Sequence, residues 1–208
     1  MKIETVRVGA FEVNCYVVWG PQNAALVIDP GADAPRILGA IATHGLTVAA
    51  YLLTHGHMDH VGALAELYDK HPAPIGIHPD DSRWAFSEAN QMLPYYPVPR
   101  QPAGRERALA HGQKWTDGGL EYEVLATPGH TPGGVSFFFP GELILFSGDT
   151  LFEGSVGRTD FPGGDPRLLS DSLSRLAELP AEVRVFPGHG GPTTIGQEKR
   201  TNYFLRAR

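Results

Sequence analysis

One short segment, residues 54–60, constrains this chain more than any other. It follows a buried strand pattern at 48–53 and precedes an apolar helical pattern at 61–68. That context predicts a tight turn at a strand end, in which Gly56 lets the backbone bend. The turn contains four side chains of the types that borderline divalent metals accept. They are His55, His57, Asp59 and His60.

Three further candidates follow a glycine at the end of a strand-like segment. They are His130, Asp149 and His189. The recurrence predicts that four strand-end loops converge on one point, a common position for an active site in layered folds. One such turn alone is more often an ordinary loop, but the set of seven indicates a metal-dependent active centre.

Short strand patterns dominate the chain. They lie at residues 2–8, 13–19, 24–28, 48–53, 75–77, 120–126, 135–139, 143–146 and 183–186. Helical patterns lie at 34–43, 61–68, 166–179 and from 195 onward. Residues 80–102 are proline-rich and are interpreted as a long surface loop with one helix near 82–90. The order predicts two packed sheets with helices outside.

Length and charge exclude several classes of protein. The 208 residues fit one domain, and a net charge of -6 leaves no basic surface for nucleic acid. No apolar run reaches the ~20 residues of a membrane span, and no secretory leader is evident. Cys15 is the single cysteine, so no intrachain disulfide forms and we expect a cytoplasmic enzyme.

The histidine motif at 55–60 resembles the His-x-His-x-Asp-His signature of the metallo-β-lactamase fold superfamily. The resemblance implies an α+β fold, a four-layer αββα sandwich of two mixed β-sheets with helices on the outer faces. It implies that one metal is held by His55, His57 and His130. A second metal is then held by Asp59, His60 and His189, and Asp149 bridges the two.

Within the superfamily, the chain is most similar to the glyoxalase II-like hydrolases. The similar motifs lie at 54–60, 127–133, 146–152 and 187–190. The commonest dinuclear β-lactamases have Arg where this chain has His60 and a later Cys, and diiron flavoproteins have Glu where it has His57. The resemblance implies hydrolysis of a thioester such as S-D-lactoylglutathione by a hydroxide that bridges two divalent metals, with Asp59 as a catalytic residue that orients its proton.

The chain departs from the long glyoxalase II pattern because it ends soon after His189. We therefore expect a single domain over residues 1–208, without a separate carboxy-terminal substrate domain. Residues 154–165 are similar to a short, single-domain branch. Arg158 in that stretch could bind a substrate carboxylate or form a salt bridge with Asp160 or Asp165. Zinc is the metal expected first, with iron and manganese left open.

Three alternative functions stay open. A persulfide dioxygenase shares the fold and a stretch like 157–161, and would hold one iron on His55, His130 and Asp149. A lactonase or other ester hydrolase would use the same centre. A metal-stabilised binding module is the third, although seven candidate ligands exceed what one closed structural site needs. The expected partner is a small acyl thioester, and the oligomeric state is not predicted.

Overall fold

The computed structural model describes residues 1–91, 93–94, 96–104 and 106–206. Two six-stranded sheets lie face to face, and helices cover both outer faces. This arrangement confirms the predicted four-layer αββα sandwich.

The first sheet is mixed. In spatial order its strands are β1 (Lys2–Val8), β2 (Val13–Trp19), β3 (Ala24–Ile28), β4 (Thr47–Leu52), β5 (Ile75–Ile77) and β6 (Glu106–Ala108). The first three form an antiparallel meander, and β3 to β6 run parallel to one another. Apolar residues at nearly every position of β2 to β5 fit strands that are covered on both faces.

The second sheet gathers strands from the later half of the chain. They are β7 (Lys114–Asp117), β8 (Leu120–Ala126), β9 (Val135–Phe139), β10 (Ile144–Gly148), β13 (Arg184–Pro187) and β14 (Thr193–Thr194). A separate hairpin is made by β11 (Leu151–Phe152) and β12 (Ser155–Val156). Since β9 is antiparallel to both β8 and β10, and β10 is parallel to β13, the strands β8, β10 and β13 end at one edge.

Within the residues that the structure describes, seven α-helices lie outside the sheets or at their edges. They are α1 (Ala34–Thr43), α2 (Met58–Val61), α3 (Leu64–Lys70), α4 (Pro79–Ala85), α5 (Pro166–Ala177), α6 (Ile195–Thr201) and α7 (Tyr203–Arg206). Among the described residues, no helix combines the length and the apolar character that crossing a membrane would require. Three apolar cores match the four layers, one beneath α1 and α3, one between the sheets and one beneath α5 and α6.

Most predicted elements are confirmed, and the differences have local causes. The predicted helix at 61–68 is two helices, α2 and α3, because the amide of Ala63 donates to the carbonyl of Pro30 (3.0 Å) instead of continuing the helix. The predicted surface loop at 80–102 begins with α4 and a 3₁₀ turn at Glu88–Asn90, and its residues 92 and 95 lie outside the described residues. Edge strands β6 and β7 were not predicted, since their polar residues give no apolar run.

Candidate metal centre

Four loops meet at one edge of the sandwich. They follow the carboxyl ends of β4, β8, β10 and β13. A hydrogen bond from the amide of Val135 to the carbonyl of Thr54 (2.8 Å) joins the two sheets at this edge. The amide of Asn14 also donates to the carbonyl of Gly188 (2.8 Å), which ties β2 of the first sheet to the loop after β13. Five of the seven predicted residues stand on these loops, and the other two, Asp59 and His60, stand on α2, which follows the loop after β4.

One group of imidazoles consists of His55, His57 and His130. One nitrogen from each lies within 4.8 Å of the other two. The closest pair is His57 Nδ1 and His130 Nε2, which are 2.9 Å apart. The other nitrogen of His130 lies 2.7 Å from the carbonyl oxygen of Arg158, and this contact fixes the orientation of its ring. All three rings are buried.

A second group consists of Asp59, His60 and His189, whose ligand atoms also lie within 4.8 Å of one another. His60 Nε2 and His189 Nε2 are 3.3 Å apart, and His189 Nε2 is 3.6 Å from Asp59 Oδ2. The far nitrogen of His189, Nδ1, lies 2.9 Å from the carbonyl oxygen of Phe11. His60 is fully buried, whereas Asp59 and His189 border the solvent.

Asp149 contacts both groups. Its Oδ2 lies 3.6 Å from His130 Nε2 and 3.4 Å from His189 Nε2. Its Oδ1 lies 3.6 Å from His60 Nε2. A carboxylate in this position would be shared by cations that the two groups held.

The residues fit divalent metal ions on two observations. Within the part of the chain that the structure describes, His55 Nε2 and Asp149 Oδ1 are buried and have no hydrogen-bond partner, although buried polar atoms are normally paired. In addition, the 3.3 Å between His60 Nε2 and His189 Nε2 matches the separation of about 3.3 Å between two nitrogens of a tetrahedral site with ~2.0 Å bonds. Unpaired buried atoms and this nitrogen spacing are both expected where side chains are arranged to bind a metal ion.

Gly188 lies so close to the side chains of the centre that no larger residue fits at this position. A Cβ on Gly188 would lie 2.1 Å from Asp149 Oδ1 and 2.8 Å from His60 Cε1. The reason predicted for Gly56 is wrong, because its backbone does not have a positive φ. Its hydrogen instead makes room for α4, since a Cβ would lie 3.1 Å from the Cβ of Ala85.

Asp29 supports the centre and was missed in the sequence, where it looked like a turn residue. It is buried, and Asp29 Oδ2 lies 3.1 Å from His60 Nδ1. It also accepts from the backbone amide (2.8 Å) and the hydroxyl (2.6 Å) of Thr54. Asp29 therefore directs the opposite nitrogen of His60, Nε2, toward the other side chains of the second group.

Charge divides the centre into two halves. Burial, together with His130 and His60, lowers the pKa of His57 to about 3, so the ring is neutral and has a free lone pair. Burial alone would also lower the pKa of His60, but the carboxylates of Asp149, Asp59 and Asp29 raise it to about 10. The half that contains the carboxylates thus stabilises positive charge, as a cation site must.

An open cavity of about 590 Å³ leads to the centre. Its wall includes Arg158, whose Nε and Nη2 donate to the two carboxylate oxygens of Asp160 at 2.6 and 2.7 Å. Of the two roles predicted for Arg158, the structure has the salt bridge with Asp160. A substrate carboxylate would have to compete with Asp160 for the guanidinium.

Comparison with known proteins agrees with this geometry. The sequence profile of the Metallo-beta-lactamase superfamily matches residues 8–189. The chain belongs to the metallo-β-lactamase superfamily. At the level of class it is a metallo-hydrolase of this superfamily, with a cluster of His and Asp side chains that can bind metal.

Two curated relatives match over nearly their whole length. Hydroxyacylglutathione hydrolase GloC of Haemophilus influenzae is 36% identical, and the match covers all of both chains. The probable metallo-hydrolase YqgX of Bacillus subtilis is 35% identical over 99% of this chain and 98% of that protein.

Three solved structures extend the comparison. The B3 metallo-beta-lactamase BLEG-1 has a TM-score of 0.93 at 36% identity, covering 98% of this chain and 99% of that chain. TTHA1623, solved in a di-iron-bound form, has a TM-score of 0.86 at 43% identity, covering 97% and 100%. ETHE1 from Myxococcus xanthus has a TM-score of 0.80 at 28% identity, covering 100% and 86%.

Proposed function

We propose that this chain is a metal-dependent thioester hydrolase. In the proposal, His55, His57 and His130 hold one divalent ion, Asp59, His60 and His189 hold a second, and Asp149 contacts both. The observation that carries the proposal is the position of Asp149, within 3.6 Å of His60 and His130 and 3.4 Å of His189. The likeness to a hydroxyacylglutathione hydrolase supports thioesters as the substrate class.

The overall reaction transfers an acyl group from sulfur to the oxygen of water. A bond forms between that oxygen and the acyl carbon, the carbon–sulfur bond breaks, and the two protons of the water end on the thiol and in solvent. A bound metal pair supplies a nucleophile at neutral pH and polarises the carbonyl oxygen.

The chain's own residues position the reactants. Asp59 borders the cavity, and one of its oxygens lies 3.6 Å from His189 Nε2, so it can accept a proton from a water molecule in the cavity. The neutral ring of His57 faces the cavity beside Phe161, at a ring distance of 5.7 Å, and this apolar contact excludes water from one side. Because a thiolate is a good leaving group, the chain needs no strong acid beside the sulfur.

The test combines metal analysis with turnover under nitrogen. S-D-lactoylglutathione is the first substrate, and an acyl thioester of N-acetylcysteamine is the second. We expect two metal ions per chain and anaerobic thioester cleavage, both reduced in His57→Ala and His189→Ala. His44→Ala is the matched control, since this exposed imidazole pairs with Glu4 on the far side of the first sheet. Full hydrolysis and full metal content in both site variants would overturn the two-metal proposal.

Other activities of the fold are outcomes of the same test. Oxygen uptake on glutathione persulfide with one iron per chain would favour the dioxygenase alternative, which uses only His55, His130 and Asp149. Cleavage of a β-lactam or a lactone without thioester turnover would show that the substrate is not a thioester. The β-lactam arm is included because BLEG-1 is so similar in structure. Zinc is the metal expected first, and iron is measured as well because TTHA1623 has a di-iron-bound form.

A further inference from the structure

The wall of the cavity is mostly apolar. Six apolar side chains from separate loops and elements line it, namely Phe11, Met58, Leu93, Phe152, Val156 and Phe161. The apolar surface begins beside the candidate metal ligands, because the ring of Phe161 lies 5.7 Å from that of His57. On the opposite side, the ring of Phe152 lies 6.3 Å from that of His189. A group attached to a reacting carbonyl would therefore meet aromatic and aliphatic carbon.

Cationic side chains are scarce on this wall. Among the described residues that line the cavity, Arg158 is the one Lys or Arg. Its guanidinium is bound by both oxygens of Asp160 and lies 4.0 Å from the centre of the Phe161 ring. The pair has no net charge, and stacking on Phe161 holds Arg158 flat against the wall.

This arrangement disfavours an anionic substrate. The tripeptide of an acyl-glutathione has two carboxylates, and each would lose hydration on entering the cavity unless it met a free cation. Asp160 already occupies the fork of Arg158. A neutral substrate loses less hydration, and an apolar acyl group gains from covering the six apolar side chains.

We propose that the cavity selects neutral thioesters with a bulky, apolar acyl group, and that Asp160 sets this preference by holding Arg158 against Phe161. This inference rests on the thioester hydrolysis proposed above. It assigns Asp160 as a specificity-determining residue that acts through Arg158 and does not touch the reacting atoms.

The first experiment varies acyl group and thiol independently. D-lactoyl and phenylacetyl groups are each joined to glutathione and to N-acetylcysteamine, and kcat/KM is measured for the four thioesters with metal-loaded enzyme. We expect kcat/KM for phenylacetyl-N-acetylcysteamine to exceed that for lactoylglutathione by about ten-fold or more, since even small differences in apolar contact change kcat/KM by this factor. A higher value for lactoylglutathione would overturn the inference.

The second experiment frees Arg158 with Asp160→Asn. We expect kcat/KM for the two glutathione thioesters to rise about two- to five-fold, the range of an exposed ion pair, through a lower KM at unchanged kcat. The gain should disappear at high salt. The two neutral thioesters should not change. Asp160 is exposed, so an unchanged melting temperature will show that the variant is folded.

The matched control is Asp69→Asn, which breaks the exposed pair between Asp69 and Arg100 (2.5 Å) outside the cavity wall. It makes the same change in net charge and should leave all four values unchanged. An equal effect of Asp69→Asn and Asp160→Asn, or no effect of Asp160→Asn, would overturn the role of Asp160. Failure of the metal-loaded enzyme on all four thioesters would overturn the proposed function instead.

Discussion

At the scale of residues, His60 shows how a side chain that is not a candidate ligand orients one that is. The ring is completely buried, with Asp29 at one nitrogen and the Asp59, Asp149 and His189 side chains around the other. A carboxylate beside the far nitrogen fixes the orientation of an imidazole ring and raises its basicity. Asp29 therefore supports a cation at this position through the ring of His60.

Replacing Asp29 with asparagine tests this role. The carboxylate interacts with three groups, the amide and hydroxyl of Thr54 and the ring of His60, and an amide cannot accept from all of them. We expect Asp29→Asn to weaken metal binding about 10- to 100-fold, measured by competition with a chelating dye. Asp171→Asn on the exposed face of α5 is the control. An unchanged metal affinity in Asp29→Asn would contradict this role of Asp29.

At the scale of elements, α4 joins two of the loops that form the centre. Its buried Asp81 accepts from the amide of Gly56 (2.8 Å) on the loop after β4. It also accepts from the hydroxyl of Thr131 and the amide of Gly133, both at 2.7 Å, on the loop after β8. Asn90, in the following 3₁₀ turn, donates to the carbonyl of Gly56 (2.8 Å) and accepts from the amide of Met58 (3.0 Å). The long proline-rich segment thus helps to build the floor of the site.

Asp81→Asn tests whether this connection stabilises the fold. Burial raises the pKa of the Asp81 carboxyl, and its three hydrogen bonds oppose that rise. In the variant an NH₂ group would face donors, so we expect a loss of about 1–3 kcal/mol in the free energy of unfolding. Urea unfolding of the metal-free protein measures it. The neighbouring Asp80→Asn changes a more exposed carboxylate and should have a small effect. Equal stability of the two variants would contradict the role of α4.

At the scale of the whole molecule, three tyrosines are buried within the layers of the sandwich. The hydroxyl of Tyr16 in β2 donates to the carbonyl of Pro187 (2.6 Å), which joins the first sheet to the end of β13. Tyr51 and Tyr122 are also buried, and they donate to the carbonyl of His71 and to Asp117. Burial raises the pKa of all three phenols well above the ordinary value of 10.

This burial predicts how stability depends on alkaline pH. A raised pKa in the folded state means that the associated stability is complete below pH 10 and is lost as the pH rises toward the folded values. Between pH 10 and the folded pKa values, three such phenols lower the free energy of unfolding by about 4 kcal/mol for each pH unit. In an absorbance titration at 295 nm, three of the seven tyrosines should ionise only together with unfolding. Ionisation of all seven near pH 10, with native circular dichroism, would contradict the prediction.

The sequence was sufficient for the parts of the molecule that depend on local pattern. The helix at 34–43 and the opening meander are where the periodicity predicted them, and the fold class implied by the motif at 55–60 is confirmed. Seven side chains recognisable by their strand-end context do come together. Asp29 and Asp81 were not predictable, because each acts on groups 25 or more residues away and looks locally like a turn or helix residue. The apolar cavity also depends on packing between distant loops.

The most direct test of the central claim is metal content measured together with anaerobic turnover of a thioester. Chelation should abolish turnover, and stepwise return of metal should restore it in proportion to the second ion bound, with full activity at two ions per chain. Full thioester turnover at one ion per chain, or turnover that requires oxygen, would contradict the account of a two-metal centre joined by Asp149.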